Sequence, residues 1–333
     1  MPGRFLLHFS PMKTPLLRLA AALIGAALVS VVGLTPATAA DAKRPLVVGF
    51  AQTGAESAWR TANTESMKSE ATQRGVELKF ADGQSKQENQ IRAIRSFVTQ
   101  GVDAIVLAPI VVTGWDIVLR EAKRAHIPVV IMDRKITTAD ESLYVTFIGS
   151  DFYQEGVMVA DWLAKNAGGR TKIVELQGEP GSAAANERHR AFADGMKKNP
   201  GFKIIDTQTG NFRRSEGKQV MEALIKKHGR EIEILYAHND DMALGAIQAI
   251  EEAGLKPGKD ILIVTIDAIK EAVQAVVDGK INCTVECNPL FGPKIYGTIE
   301  KILAKETVEK QMYNKDELFD ATNAAAALPT RKY

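Results

Sequence analysis

Three adjacent polar residues, Asn239, Asp240 and Asp241, separate an apolar β-like run from a helical run in the segment LYAHNDDMALGAIQAIEEAG, residues 235–254. Side chains of these types could ligate a metal, act as catalytic acids, cap a helix or form hydrogen bonds to an uncharged ligand. The first two uses are poorly supported, because two adjacent acids at a helix start without a nearby histidine make a poor metal or catalytic site. A helix cap and a ligand contact remain.

A second pair of charged residues, Asp133-Arg134, ends the apolar run IPVVIMD, where a buried charge is costly unless it has partners. A carboxylate accepts hydrogen bonds from hydroxyl groups, and a planar guanidinium donates two parallel ones to neighbouring oxygens. The alternative is a local ion pair, because buried charges are normally paired. Trp59-Arg60 adds an aromatic face and a second guanidinium, although Trp59 alone fits a core position equally well.

Other site chemistries lack their sequence signatures. The segment GFAQTGAES has two glycines at a spacing unlike that of dinucleotide-binding turns, and the chain contains no Walker lysine motif. No GxSxG elbow marks a serine hydrolase, and the five histidines are scattered along the chain. The sequence therefore predicts no catalytic residue, no metal site and no cofactor.

The elements that must position these residues alternate regularly between strands and helices. Apolar runs predict strands at 46–51, 77–82, 104–108, 129–133 and 144–150, and a second set that starts near residues 172, 203, 234, 262 and 282. Helical segments lie between them, for example about 86–100 before Gly101 and 240–254 before Pro257. Such alternation predicts an α/β protein with two doubly wound lobes, each built on a parallel sheet.

In sheets of this kind, ligands bind beyond the carboxyl ends of the strands. The first half carries TGAESAWR, DGQ, APIVVTGW and Asp133-Arg134 at those positions, and the second half carries GEPGSAAANERHR, GNFRR, AHNDD and IDA. All these segments are rich in hydrogen-bonding groups. We therefore expect a ligand cleft between the two lobes.

The first forty residues resemble an export signal. Arg4, Lys13 and Arg18 precede the apolar run LAAALIGAALVSVVGL, and a small-residue cleavage pattern predicts processing near Ala39 or Ala40. Removal of this leader leaves 39 basic and 40 acidic residues, so the charge does not favour nucleic acid as a partner. The only cysteines, Cys283 and Cys287, are four residues apart, too far for a disulfide within an extended segment, and are predicted to be free thiols.

The segments NERHRAF, YAHNDDMALGAIQAIEEAGLKPGKDILIVTIDA and MDR resemble the periplasmic sugar-binding proteins of the ribose/galactose group, which serve ABC importers. The segment ESAWR is most similar to galactofuranose-binding members of that group, and Ala108 stands where ribose binders carry an asparagine. The resemblance implies the type I periplasmic-binding-protein fold, a periplasmic monomer, a monosaccharide ligand and a partner permease in the inner membrane. It implies ligand contacts from Glu56, Ser57, Trp59, Arg60, Asp133, Arg134, Arg188, Asn239, Asp267 and Glu286.

The resemblance also implies the domain limits. Residues 41–149 with about 287–318 would form the N-terminal lobe, and residues 150–286 with about 319–333 would form the C-terminal lobe. The segment ECNPLFGP, which contains Glu286, is one residue shorter than the corresponding family segment.

Two alternatives to a transport protein stay open on the sequence. Repressors of the lactose type share this core but carry a DNA-binding helix-turn-helix where this chain has the leader. An extracytoplasmic glycoside hydrolase would use Asp240 or Asp241 as a catalytic acid. We interpret Asn239 as a ligand contact, Asp240 as the N-cap of the following helix and Asp241 as a charge that complements the helix dipole.

Overall fold

The computed structural model describes residues 44–333, and the predicted export signal lies outside the described residues. Two six-stranded sheets form the framework. The first contains β1 (Val47–Gln52), β2 (Glu77–Asp82), β3 (Ala104–Leu107), β4 (Val129–Met132), β5 (Thr146–Gly149) and β11 (Gln311–Tyr313). The second contains β6 (Lys172–Gln177), β7 (Lys203–Thr209), β8 (Ile234–Ala237), β9 (Leu262–Asp267), β10 (Cys283–Glu286) and β12 (Leu318–Asp320).

Helices connect and cover the strands. They are α1 (Ala58–Arg74), α2 (Gln87–Gln100), α3 (Asp116–Arg124), α4 (Phe152–Asn166), α5 (Ala183–Lys198), α6 (Arg214–His228), α7 (Asp240–Glu252), α8 (Lys270–Val277), α9 (Gly292–Leu303) and α10 (Ala324–Ala327). Short 3₁₀ turns occupy Glu141–Leu143, Gly229–Glu231 and Leu328–Thr330. None of the described helices combines the length and the apolar character that a bilayer crossing requires.

The strand order is β11-β5-β4-β3-β1-β2 in the first sheet and β12-β10-β9-β8-β6-β7 in the second. Every neighbouring pair is parallel except β10 with β12, which is antiparallel. The central strands β3, β4, β8 and β9 are buried along their whole length, as expected for parallel strands covered on both faces. The predicted α/β class with two doubly wound lobes is confirmed.

The hydrophobic core lies between the sheets and the helices that cover them. In the first lobe, Phe97 of α2 and Trp115 before α3 pack with Leu107 of β3 on one face of the sheet. On the other face, α1 and α9 pack against each other, although α9 follows a strand of the second sheet. Burial of these apolar side chains fixes the strand ends in space, and thereby the polar residues that follow them.

The chain passes between the two sheets at three places within the described residues: 149–152, 286–292 and 313–318. The ten predicted strands are present, but β11 and β12 were not predicted. Each has three residues at a sheet edge, with too few buried positions to give a recognisable apolar pattern. The residue limits of the two lobes given above stay a prediction.

Candidate functional site

A cavity lies between the two lobes, next to the carboxyl ends of β1, β4, β8 and β9. Nine of the ten predicted site residues line it: Glu56, Ser57, Trp59, Arg60, Asp133, Arg134, Arg188, Asn239 and Asp267. The structure therefore brings together residues that lie far apart in the sequence.

On the first lobe, two guanidinium groups and two carboxylates contact one another inside the cavity wall. Arg60 Nε donates to Glu56 Oε1 at 3.0 Å, and Arg60 Nη1 lies 2.8 Å from Asp133 Oδ2. Arg134 Nη2 lies 3.5 Å from Glu56 Oε1, while its Nε lies 3.8 Å from its neighbour Asp133. Asp133 thus pairs more closely with Arg60 of α1 than with Arg134, so the pair is not simply a local ion pair.

Ser57 caps the N-terminus of α1. Its Oγ accepts the backbone N–H of Arg60 at 3.1 Å and caps the start of α1. This bond satisfies one of the free amides at the helix start and fixes the first turn, which carries Trp59 and Arg60. The hydroxyl hydrogen of Ser57 can still be donated to a ligand.

Two buried polar atoms of this wall have no hydrogen-bond partner among the described residues: Glu56 Oε2 and Arg134 Nη1. A buried polar group without a partner costs about 1–3 kcal/mol, and more when it is charged. The first atom accepts hydrogen bonds and the second donates. A ligand with several hydroxyl groups, each of which both donates and accepts, can satisfy both.

The charges of the first-lobe wall are mutually compensated. Burial by itself raises the pKa of Glu56, but Arg60 and Arg134 outweigh burial and hold this pKa below its usual value. Burial and the nearby Arg60 lower the pKa of Arg134. Because each guanidinium already faces a protein carboxylate, the wall favours an uncharged ligand over an anion.

On the second lobe, Arg188 of α5 is held from three directions. Its Nε donates to Glu155 Oε2 at 2.8 Å, its Nη1 donates to the carbonyl oxygen of His238 at 2.6 Å, and its Nη2 lies 3.6 Å from Asp267 Oδ1. Burial raises the pKa of Asp267 well above its usual value, although Arg188 acts against this rise. Asp267 ends β9 with a φ of 123°, a conformation that non-glycine residues rarely adopt and that often marks functional sites.

Asn239 lines the cavity, but both atoms of its amide have protein partners. Its Oδ1 accepts the backbone N–H of Met242 at 3.1 Å, and its Nδ2 donates to the carbonyl oxygen of Phe212 at 3.2 Å. Asn239 is therefore the N-cap of α7, and the prediction that Asp240 caps this helix is wrong. The backbone of Asn239 is extended, with a φ of −152°, and α7 begins at Asp240, so the cap lies one residue earlier than predicted.

Asp240 instead connects three elements behind the cavity. Its carboxylate accepts from Thr284 Oγ1 at 2.9 Å and from the backbone N–H of Ile269 at 2.8 Å. Burial raises its pKa to about 7. Asp241 lies in the first turn of α7 as predicted, and its carboxylate also accepts the backbone N–H of Ala58 in the other lobe.

Glu286 is the one predicted site residue that does not line the cavity. Its Oε1 accepts from Arg331 Nη1 at 2.7 Å and from the Tyr333 hydroxyl at 2.8 Å. Its side chain is thus bound to the C-terminal segment, and the adjacent Cys287 lines the cavity in its place. Ligand contact by Glu286 stays a prediction.

Sequence reasoning missed several members of the wall, namely Phe152, Ala184, Phe212 and Cys287, and the partner of Arg188, Glu155. The guanidinium of Arg188 lies over the ring of Phe152, 5.2 Å from the ring centre. The guanidinium of Arg134 lies over the ring of Phe212 at 5.1 Å. A usable signal existed for Phe212, which lies in the strand-end segment GNFRR. Phe152 follows β5 and Cys287 follows β10, at two of the places where the chain passes from one sheet to the other. The sequence pattern did not indicate a cavity at these places.

Three aromatic rings therefore border the cavity, Trp59, Phe152 and Phe212. Trp59 packs edge-on against Phe291, and its indole N–H donates to the backbone carbonyl of Cys287. Such faces suit the apolar C–H face of a ring whose edges carry hydroxyl groups. Within residues 44–333, no group of three or more His, Cys, Asp or Glu side chains is arranged to hold a metal ion.

Comparison with known proteins agrees with the two-lobed fold. A family model described as periplasmic binding protein domain matches residues 48–290. The galactofuranose-binding protein of Escherichia coli (strain K12) is 50% identical over 292 residues, which cover 86% of this chain and 92% of that protein.

Two solved structures are similar over the same part of the chain. A Mycobacterium smegmatis protein in complex with β-D-fucofuranose is 52% identical, with a TM-score of 0.84 and coverage of 86% of this chain and 95% of that chain. The periplasmic binding component of the arabinose ABC transporter from Shewanella sp. ANA-3, bound to α- and β-L-arabinofuranose, is 49% identical, with a TM-score of 0.83 and the same coverage.

Proposed function

This chain belongs to the periplasmic binding protein domain family, and we propose that it binds one monosaccharide between its lobes and delivers it to the permease of an ABC transporter. The observation that carries this proposal is the cavity between the lobes, where two buried polar atoms without partners lie beside aromatic rings. A sugar supplies both the hydroxyl groups and the apolar face that this wall can bind.

The sugar class is a furanose of the galactose type. The three relatives described above are named for, or solved with, galactofuranose, β-D-fucofuranose and L-arabinofuranose. As compounds, these sugars share one ring configuration and differ in the chain outside the ring. A wall that positions charged groups around the ring, and leaves space at the exocyclic chain, would accept all three.

The proposed contacts come from both lobes. Asp133, Arg134 and Glu56 would bind ring hydroxyls from the first lobe, and Arg188 and Asp267 would bind them from the second. The full proposed set is Glu56, Ser57, Trp59, Arg60, Asp133, Arg134, Arg188, Asn239 and Asp267, and the family resemblance adds Glu286 as a tenth. A ligand that contacts both lobes favours the closed arrangement by its differential affinity, and a permease that recognises this arrangement would detect occupancy.

The proposal includes export and the monomeric state. The leader at residues 1–40 would direct the chain to the periplasm and be cleaved near Ala39 or Ala40, and the mature monomer would meet the permease at the inner membrane. The lactose-type regulator and the glycoside hydrolase gain no support from the relatives described above, which are transport or binding proteins.

Calorimetry on the mature protein tests the proposal. We expect binding of D-galactose, D-fucose and L-arabinose, and much weaker binding of D-ribose and D-glucose. Carbon-13 NMR of a bound labelled sugar distinguishes the ring forms, and the furanose form is expected. Absence of binding by all these sugars would refute the sugar proposal, whereas exclusive binding of pyranose forms would refute only the furanose assignment.

A further inference from the structure

The first turn of α1 carries two residues of the cavity wall, Trp59 and Arg60, and its position depends on how its backbone amides are satisfied. The Ser57 hydroxyl accepts the N–H of Arg60 only. The N–H of Ala58 lies at the first helical position and has no acceptor within its own helix. Its partner comes from the other lobe.

Ala58 N donates to Asp241 Oδ2 at 2.7 Å, a length typical of hydrogen bonds to a charged oxygen. Asp241 follows β8 of the second sheet, and Ala58 follows β1 of the first. The carboxylate also faces the positive end of the α1 dipole, which adds to the attraction. Because the two residues belong to different lobes, separation of the lobes must break this bond.

Asp241 is held in place by its own lobe. Arg214 Nε donates to Asp241 Oδ1 at 3.1 Å, and the same guanidinium makes two bonds to Glu271, at 2.9 and 2.7 Å. Arg214 and Glu271 belong to α6 and α8 of the second lobe. The acceptor is therefore oriented before the lobes meet, which reduces the entropy lost on closure.

Two further bonds join the lobes. Arg213 Nη2 donates to Ser85 Oγ at 3.1 Å, and the backbone N–H of Val112 donates to the carbonyl oxygen of Gly181 at 3.1 Å. Among these three, only the bond from Ala58 ends on a buried carboxylate, so it is the one that gains most from exclusion of water.

We propose that Asp241 is a positioning residue that holds the two lobes closed by accepting the Ala58 amide, and thereby fixes Trp59 and Arg60 over the bound sugar. This inference rests on the proposed function. Asp241 does not line the cavity, so its contribution is the same for every sugar that allows closure. It lengthens the residence time of the ligand without contributing to the choice of sugar.

Removal of either partner tests the bond. Asp241→Ala deletes the acceptor, and Ala58→Pro deletes the donor at a helix position where proline is well tolerated and after a residue with the extended backbone that proline requires. Each variant should release sugar about ten- to a hundredfold faster in stopped-flow tryptophan fluorescence. The factor should be equal for D-galactose and L-arabinose. The double variant should be no faster than the single ones, because both substitutions remove one bond.

Glu252→Gln is the matched control, since it removes an exposed carboxylate from the same helix, where Glu252 pairs with Lys218 at 2.7 Å within the second lobe. We expect its release rate to stay within about twofold of wild type. Release by Asp241→Ala and Ala58→Pro at the rate of this control would overturn the inference, as would additive effects in the double variant. Ala58→Pro leaves Asp241 intact, so the test survives if Asp241→Ala fails to fold.

Failure of the proposed function would look different. Wild-type protein would then bind none of the sugars, which would overturn this inference together with the proposed function on which it rests. Failure of the inference alone would leave sugar binding by wild type intact and give Asp241→Ala and Ala58→Pro the release rate of Glu252→Gln.

Discussion

Glu155 Oε2 accepts a hydrogen bond from Arg188 Nε at 2.8 Å, so a carboxyl on α4 orients a guanidinium on α5 inside the cavity. The other carboxyl oxygen of Glu155 has no hydrogen-bond partner among the described residues. Burial raises the pKa of Glu155 to about 7, although Arg188 acts in the opposite direction. This carboxyl therefore changes its charge near neutral pH, far above the range of an exposed glutamate.

A pH dependence of stability follows from this raised pKa. Between the ordinary value of 4.5 and the folded value of about 7, the folded protein binds more protons at Glu155 than the unfolded chain. Its contribution to the unfolding free energy is therefore fully present below pH 4.5 and is lost as the pH rises toward 7. Asp240 acts in the same direction, while buried His238, with its lowered pKa, acts in the opposite one.

The variant Glu155→Gln isolates the contribution of this group. Urea unfolding at several pH values measures the effect. As the pH rises from 4.5 to 7, the unfolding free energy of the variant should fall by about 1–3 kcal/mol less than that of wild type. Asp161→Asn, an exposed change on the same helix, should reproduce the wild-type pH profile. A Glu155→Gln profile parallel to that of wild type would contradict the prediction.

Asp133→Asn should lower sugar affinity about tenfold to a hundredfold, because a neutral amide replaces a carboxylate that lines the cavity. The change keeps the shape of the side chain, and its amide oxygen can still accept from Arg60, but loss of the buried ion pair should lower the unfolding free energy as well. Calorimetry and urea unfolding measure the two effects.

The matched control for Asp133 is Asp82→Asn. Asp82 ends β2 at the same edge of the same sheet but is exposed and does not line the cavity. Its affinity should match that of wild type. If Asp133→Asn binds sugar normally but unfolds at markedly lower urea, the role of Asp133 is structural only.

The contacts of Glu286 in the structure predict a stabilising role for this residue and little effect on sugar affinity. Arg331→Ala should lower the unfolding free energy by about 1–3 kcal/mol, because it removes a donor from a largely buried carboxylate. Glu286→Gln should change sugar affinity less than about threefold. Lys332→Ala, an exposed neighbour in the same segment, should leave both quantities unchanged. A loss of affinity in Glu286→Gln as large as that in Asp133→Asn would instead support direct contact with the sugar.

The thiol of Cys287 provides a measure of lobe opening. Cys283 and Cys287 are free and buried, and burial raises the pKa of both well above the usual value. The protonated thiol of Cys287 lines the cavity and should react slowly with maleimide. Sugar should slow this reaction at least about tenfold, because reaction requires the open state. The measurement uses the Cys283→Ser variant, in which Cys287 is the remaining thiol. Cys287→Ser serves as the unreactive control. Equal labelling rates with and without sugar would contradict the prediction.

Much of the site followed from the sequence because the strand pattern is local. Buried parallel strands read as apolar runs, and polar residues after them lie at one edge of a sheet wherever the sheet packs. This argument predicted the strand-end positions of Asp133 and Asp267, which line one cavity, whereas Arg188 of α5 was predicted from the family resemblance. The same argument could not select Phe152 or Cys287, since these residues line the cavity only because the chain passes between the lobes beside it.

The cap of α7 shows the limit of local patterns. Asn239 and Asp240 are equally good cap residues, so residue type alone could not choose between them. Tertiary structure decided, because the carboxylate of Asp240 is bound by Ile269 and Thr284 from neighbouring elements, which leaves the cap to Asn239.

The sequence by itself determined the two-lobed α/β class, the strand ends and the polar residues found there, because apolar periodicity and burial are properties of neighbouring positions. Only the tertiary structure decided that Asp241 accepts the amide of Ala58, 183 positions away in the chain, and that Glu286 binds Arg331. Such partners are set by how distant segments of the chain pack in three dimensions, across the two lobes for Asp241 and within the second lobe for Glu286. A sequence pattern describes only neighbouring positions and therefore does not contain these distances.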